Sequence, residues 1–160
     1  MKRVLIFGNS GAGKSTLATR LCQQHGLTHL DLDTIAWRPV TPPERSPLAE
    51  SHKHINEFAL NNEGWVIEGC YTDLLEIAAP LATEIIFMDV PVAQCIANAK
   101  SRPWEPHKYA SKEEQDKNLA MLINWIQEYH TRTDTLSHMA HDAFFNNYDG
   151  KKTRLTSQRP

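Results

Sequence analysis

The chain has 160 residues, 41% of them hydrophobic and 22% charged, with a net charge of −2. That length and balance suit one globular domain over residues 1–160 with a single core, and the near-neutral charge argues against a protein that coats nucleic acid. No apolar run approaches the ~20 residues that a membrane-crossing helix needs.

The first predicted element is a strand over Arg3–Phe7. Basic Lys2 and Arg3 before an apolar run superficially suggest a signal peptide, but the run stops at Gly8, too short for an h-region. A buried strand is the better reading, and the chain is expected to be cytoplasmic. Further strands are predicted over Thr28–Leu32, Trp65–Glu68, Glu84–Asp89 and Lys152–Thr156. Helices are predicted over Lys14–His25, Leu48–Asn61, Thr72–Ala79, Val92–Ser101 and a long stretch near Lys112–Phe145, broken around Thr131–Thr135. Strands alternating with helices imply an α/β fold, a parallel sheet with helices on both faces. Runs without alternation, such as Ile85-Ile86-Phe87-Met88, fit strands buried on both sides. Two stretches interrupt the pattern. Arg38–Pro47 holds four prolines and reads as an extended connection, and Arg102–Tyr109 is an irregular insert carrying basic groups beside Trp104.

The strongest motif is I-F-G-N-S-G-A-G-K-S-T, residues 6–16. Gly8, Gly13, Lys14 and Ser15 satisfy G-x-x-x-x-G-K-[ST], and the motif runs from a predicted strand into a predicted helix, the context it requires. A loop of small residues, Gly8, Asn9, Ser10, Gly11, Ala12 and Gly13, turns its backbone N–H groups inward around a di- or triphosphate. The helix beginning near Gly13 adds unpaired N–H groups and the positive end of its dipole. Lys14 supplies a full charge for the β- and γ-phosphates, and Ser15, followed by Thr16, supplies a hydroxyl ligand for Mg²⁺. ATP and Mg²⁺ are therefore the expected ligands of a P-loop NTPase.

Other groupings carry less. Cys22, Cys70 and Cys95 are odd in number, far apart and outside CxxC pairs, against a disulfide framework or a zinc site. His130, His138 and His141 lack a further ligand at metal spacing and read as surface or packing residues. Met121, Leu122, Trp125, Ile126 and Tyr129 recur at roughly helical spacing, a core stripe. Asp89, after the apolar strand, reads either as a Walker B-type acid with a secondary metal role or as a structural turn. Trp37 either stacks on a planar substrate or plugs the proline-rich connection, and Trp104 either stacks on adenine or anchors the insert.

Beyond the P-loop, I-I-F-M-D-V-P (85–91) followed by a helix ending at Arg102 resembles the run before the lid of adenylate-kinase-like small-molecule kinases. W-V-I-E-G-C-Y (65–71), L-D-T-I-A-W-R-P (32–39) and Y-D-G-K-K-T-R-L-T-S (148–157) resemble segments of a bacterial branch of those kinases, the topology modulation proteins. The resemblance implies a five-stranded parallel sheet of order 2-3-1-4-5 with a short lid, here about 102–112. It implies ligands at the carboxyl ends of the strands, so that Gly8, Asp33, Glu68 and Asp89 converge on one cleft.

Further roles follow from the same resemblance. Asp33 orients the acceptor hydroxyl and accepts its proton; otherwise it is a solvated carboxylate or helix cap, the reading preferred for Asp31. Glu68 stands where the group has Asp and joins Ser15 around Mg²⁺, while Cys70 replaces the group's Asn. Arg102 at the lid's start and Arg132 in the following helical stretch neutralise the transferred phosphoryl group, with Lys108 a weaker candidate. Adenylate kinases carry an arginine shortly after the third-strand Asp-Gly, whereas Cys70, Tyr71 and Thr72 follow Gly69, so AMP is not the expected acceptor. The expected activity is transfer of the γ-phosphate of ATP to a small-molecule acceptor, a nucleoside, nucleotide or other hydroxyl metabolite. The competing expectation is a nucleotide-binding regulatory or DNA-topology-associated ATPase, against which stand the near-neutral charge and the lack of a DNA-reading element. An AAA-type mechanical ATPase fits poorly, since 160 residues leave no room for a second helical domain. Oligomeric state is left open.

Overall fold

The computed structural model describes residues 1–157. Its centre is strand β1, Arg3–Gly8, in which successive side chains point to opposite faces. Leu5 and Phe7 join one apolar cluster and Val4 and Ile6 the other, all of them buried. A strand apolar on both faces must be covered on both, and five parallel strands with helices on either side provide that cover.

The sheet strands after β1 are β2 (Thr28–Asp31), β5 (Trp65–Gly69), β6 (Glu84–Met88) and β7 (Lys151–Leu155). They lie in the order β2-β5-β1-β6-β7, which is 2-3-1-4-5 when only these strands are counted. The register sets Ile6 beside Glu68 and Asp31 beside Glu68, so the P-loop, Glu68 and the end of β2 emerge at one edge. Between β2 and β5, β3 (Trp37–Arg38) pairs antiparallel with β4 (Glu44–Arg45). This two-residue ladder stands within the stretch expected to be simply extended.

Helices α3 (Leu48–Asn61), α4 (Thr72–Ala78) and α8 (His138–Asn147) cover the face of Leu5 and Phe7. On that face Phe7 stacks on Phe87 at 4.9 Å and meets Phe144 edge-on at 5.0 Å. Helices α1 (Lys14–His25), α5 (Val92–Ser101) and α7 (Leu119–Gln127) cover the other face through Leu17, Ala18, Cys95, Ala99 and Ile126.

The stretch expected as one long helix with a single break divides into α6 (Lys112–Lys117), α7 and α8. Asn118 alone separates α6 from α7, and the irregular residues 128–137 separate α7 from α8. Ser137 then caps α8 through its side-chain oxygen, which accepts from the Ala140 amide. The expected core stripe over residues 121–129 holds only in part: Ile126 on α7 and Tyr129 just beyond it are fully buried, but Met121 is 71% exposed.

Candidate functional site

The P-loop joins β1 to α1. Gly11 and Gly13 take φ of 79° and 92°, the left-handed region that an L side chain rarely adopts. A side chain on Gly11 would also meet the Cys95 carbonyl. Those two residues let the loop curl tightly, and Asn98 of α5 braces it by donating to the Gly11 carbonyl at 2.8 Å. The Lys14 ammonium donates to the Asn9 carbonyl at 2.7 Å. Ser15 Oγ donates to Glu68 Oε1 at 2.8 Å, and His29 Nε2 stands 3.3 Å from the same oxygen.

A cavity of about 700 Å³ opens at the carboxyl end of the sheet. It is lined on one side by Ser10, Gly11, Gly13, Lys14, Ser15 and Thr16, and on the other by Asp33, Trp37, Glu68, Cys70 and Tyr71. Arg102, Glu105 and Lys108 of the insert form its roof, with Leu122 and Trp125 of α7 beside them. The strand ends therefore bring the loop, Asp33 and Glu68 together.

Asp33 opens a single helical turn, α2 (Asp33–Ala36), just past β2. Asp31 Oδ1 accepts the Asp33 amide at 2.9 Å, so Asp31 caps this turn. The two Asp33 oxygens have separate partners. Oδ1 accepts from the Tyr71 hydroxyl at 2.5 Å, and Oδ2 accepts from Lys108 Nζ at 3.0 Å. Trp37 Nε1 donates to the Tyr71 oxygen at 2.9 Å, completing a chain of donors from Trp37 to Asp33. Burial alone would raise the Asp33 carboxyl, but the Lys108 ammonium and the Tyr71 hydroxyl together hold it below the usual carboxylate range. Asp31 moves the other way, raised by burial and by the nearby Glu68 and Asp33 charges. Burial works against the Lys108 ammonium, yet the Asp33 and Asp31 charges outweigh it and raise its pKa. Burial pushes the Cys70 thiol up to about 12, so Cys70 is a neutral part of the wall.

The insert is pinned as well as charged. Gln115 of α6 accepts the Glu105 amide at 2.8 Å and donates to the Pro103 carbonyl at 3.0 Å. Trp104 Nε1 donates to the Tyr109 carbonyl at 3.0 Å, which ties the insert to itself. Arg102 pairs with Glu105 at 3.2 Å.

Two expected residues stand elsewhere. Asp89 does not line the cavity; it pairs with Arg154 at 2.7 Å and His138 at 3.1 Å, holding β7 and α8 to the end of β6. Its carboxylate is committed to structure, which corrects the expectation that it joins the cleft or the metal shell. Arg132 lies in the irregular segment between α7 and α8 rather than within a helix. Its guanidinium stacks 3.5 Å from the Trp125 ring and Nη1 donates to the Trp125 carbonyl. Arg132 thus does not line the cavity and stands behind Trp125, which does. The histidines pack: His130 lies against His138 with ring centroids 4.3 Å apart, and His141 bridges the Cys70 carbonyl and the Tyr129 hydroxyl.

Sequence reasoning gave no role to Tyr71, His29 or Asn98. Tyr71 is two residues beyond the end of β5, where a side chain reaches the cleft, and that spacing was the available signal. The positions of His29 and Asn98 depend on neighbouring elements and carry no such mark.

The P-loop, the strand-end carboxylates and the roof all fall within residues 4–121, which match the family described as AAA domain. The chain belongs to that AAA-domain family. Among relatives of this AAA-domain chain, an adenylate kinase from Synechococcus sp. (strain CC9311) is 26% identical over 84% of this chain and 82% of its own length. An uncharacterised protein, YqaC, from Bacillus subtilis (strain 168) is 27% identical over 80% of this chain and 72% of its own length. Shikimate kinase from Bacteroides thetaiotaomicron superposes with a TM-score of 0.55 at 15% identity, covering 98% of this chain and 87% of that one. A gluconokinase from Sinorhizobium meliloti 1021 gives a TM-score of 0.56 at 12% identity, covering 99% and 84%. Those two likenesses establish the P-loop kinase fold for this AAA-domain chain.

Proposed function

We propose that the chain is an ATP- and Mg²⁺-dependent phosphotransferase that moves the γ-phosphoryl group of ATP onto a hydroxyl of a small molecule. The observation that carries this reading is the cavity itself, in which the P-loop lysine and the Asp33 carboxylate face a common space. A hydrolase needs only a water opposite the phosphate; a wall bearing Asp33, Tyr71 and Trp37 fits an organic acceptor.

Lys14 and the loop amides hold the phosphates. Asp33 Oδ2 receives the acceptor's hydroxyl proton as the new O–P bond forms and the bond from the γ-phosphorus to the bridging oxygen breaks, releasing ADP. Arg102 neutralises charge on the transferred group and, with the insert over about 102–112, excludes water from the cavity. Arg132 supports that end of the site through Trp125. Ser15 and Glu68 fit Mg²⁺: one hydroxyl and one carboxylate 2.8 Å apart are what an ion that keeps its waters and binds substrate phosphates requires. Mg²⁺ supplies charge neutralisation and orients the phosphates when bound. Among the described residues no group of three His, Cys, Asp or Glu could hold a metal alone, so the ion would arrive with the nucleotide. Residues 32–39, 65–71 and 148–157 support placing this single-domain kinase with the topology modulation proteins, and the reaction would run in the cytoplasm.

The test is ATP consumption with Mg²⁺, alone and with pooled acceptors, with Lys14→Ala as the blank. A pool that raises turnover in the wild type only is the expected result. Slow hydrolysis unmoved by every pool would favour a nucleotide-dependent regulatory ATPase instead.

A further inference from the structure

The charges at the acceptor end of the cavity restrict what can bind there. The cationic side chains lining the cavity, among the described residues, are Lys14, Arg102 and Lys108. Lys14 belongs to the phosphate loop, where it rests on the Asn9 carbonyl. Arg102 is matched by Glu105 at 3.2 Å. Lys108 is shared among Asp33 at 3.0 Å, Glu105 at 3.5 Å and Asp31 at 3.7 Å. Arg45, behind Tyr71, is matched by Asp73 through contacts of 3.0 and 3.2 Å and does not line the cavity. Among the described residues the acceptor end therefore presents Asp33, Glu105 and, just behind, Asp31, and the cations lining it, Arg102 and Lys108, are already matched by carboxylates.

The wall beside Asp33 is aromatic. Trp37 is 41% exposed and stands edge to face with Tyr71, ring centroids 6.4 Å apart. Its indole N–H is already spent on the Tyr71 hydroxyl, so it offers the cavity an apolar ring. Asp33 Oδ1 is likewise spent on Tyr71, which leaves Oδ2, now capped by Lys108, to engage an acceptor. Whatever displaces the Lys108 ammonium from Oδ2 must itself donate a hydrogen bond, and an anion brought to this place would face Asp33, Glu105 and Asp31, three carboxylates around one ammonium, as like charges.

We propose that the acceptor is an uncharged, polyhydroxylated ring compound, a nucleoside or neutral cyclic sugar or polyol, and not an acid or a phosphate ester. One of its hydroxyls donates to Asp33 Oδ2 in place of Lys108, and its ring face lies on Trp37. The inference deepens the phosphotransferase reading and rests on it.

The experiment is ATP turnover by the whole chain with matched acceptor pairs that differ only in an anionic group. The pairs are nucleosides against their 5′-monophosphates, hexoses against the corresponding uronic acids, and cyclic polyols against their carboxylated counterparts. In each pair that is turned over, the neutral member should exceed the anionic one in kcat/KM by about tenfold or more, and Asp31→Asn should narrow that ratio. An anionic member that equals or exceeds its neutral counterpart, with turnover still dependent on Lys14, overturns the charge rule and leaves the phosphotransferase standing. No response from any member of any pair, with ATP binding intact, overturns both.

Discussion

Lys108 in the roof and Asp33 at the end of the second strand meet at 3.0 Å across the mouth of the cavity, joining two segments 75 residues apart. The contact makes the roof and the Asp33 carboxylate one electrostatic unit. A group that enters to reach Asp33 must first compete with an ammonium held by three carboxylates.

Removing that ammonium should therefore change how Asp33 titrates. Its carboxyl is held low by Lys108 and Tyr71 against the opposing effect of burial. In Lys108→Met the low-pH limb of kcat/KM should move to higher pH, as expected when an opposite charge a few ångströms away is lost. Lys108→Arg should restore most of the original limb. A pH–rate profile identical in Lys108→Met and wild type would show that Asp33 does not titrate in catalysis.

The Ser15–Glu68 pair makes a separate prediction about metal. Ser15→Ala and Glu68→Gln should each raise the Mg²⁺ concentration for half-maximal turnover, with little change in stability for the exposed Ser15. Chelating Mg²⁺ should abolish turnover in every variant. Lys14→Ala, which loses the contact to the Asn9 carbonyl, should lower turnover by about 10²- to 10³-fold, as removal of a preorganised charge does elsewhere. Circular dichroism of Lys14→Ala should match the wild type.

On the core side, Phe7 is fully buried between Phe87 and Phe144 at the centre of the sheet. Phe7→Ala removes these ring contacts and that to His141 and leaves a cavity, for a loss of roughly 3–5 kcal/mol. Urea unfolding at neutral pH measures it; a loss under about 1 kcal/mol would mean that the sheet collapses to fill the space.

Much of this architecture was legible because short-range pattern and function coincide. Residues 14–25, 48–61 and 92–101 have the predicted helical bounds, since each carries an apolar face and begins after a glycine or proline. The P-loop was legible for the same reason, being contiguous and flanked by a strand and a helix. Asp89 shows where that logic stops. An acid after an apolar strand looks alike whether it serves a metal or a salt bridge, and the partner that decides, Arg154, lies 65 residues away. The split at Asn118 was equally hidden, because neither glycine nor proline marks it. Lys108 and Tyr71 were visible as residues, but their meeting at Asp33 depends on how the insert folds back over the sheet.

His141 gives a prediction for stability against pH. It is fully buried in α8, where Nε2–H donates to the Cys70 carbonyl at 2.7 Å, and Nδ1 accepts from the Tyr129 hydroxyl at 2.6 Å. That arrangement suits the neutral ring. Burial is the main cause, with the Lys14, His138 and Arg132 charges adding to it against the Cys70 carbonyl, and the pKa falls to about 4. The unfolded chain, with histidine near its ordinary ~6.5, binds the proton more readily. Stability contributed by the neutral ring is therefore complete above about pH 6.5 and declines as the pH falls toward 4, by up to about 3 kcal/mol. Around this helix His138 pairs with Asp89 and His130 stacks on His138, and Asp142, held low by its hydrogen bond to Arg154, keeps its charge. His141→Gln lacks the titrating ring, so it should be less stable at pH 7 yet show a flatter decline between pH 7 and 5. Because the Cys70 carbonyl precedes Tyr71, the same variant should raise the KM for acceptor more than that for ATP. An unchanged slope of unfolding free energy against pH would show that His141 is not the source of the acid sensitivity.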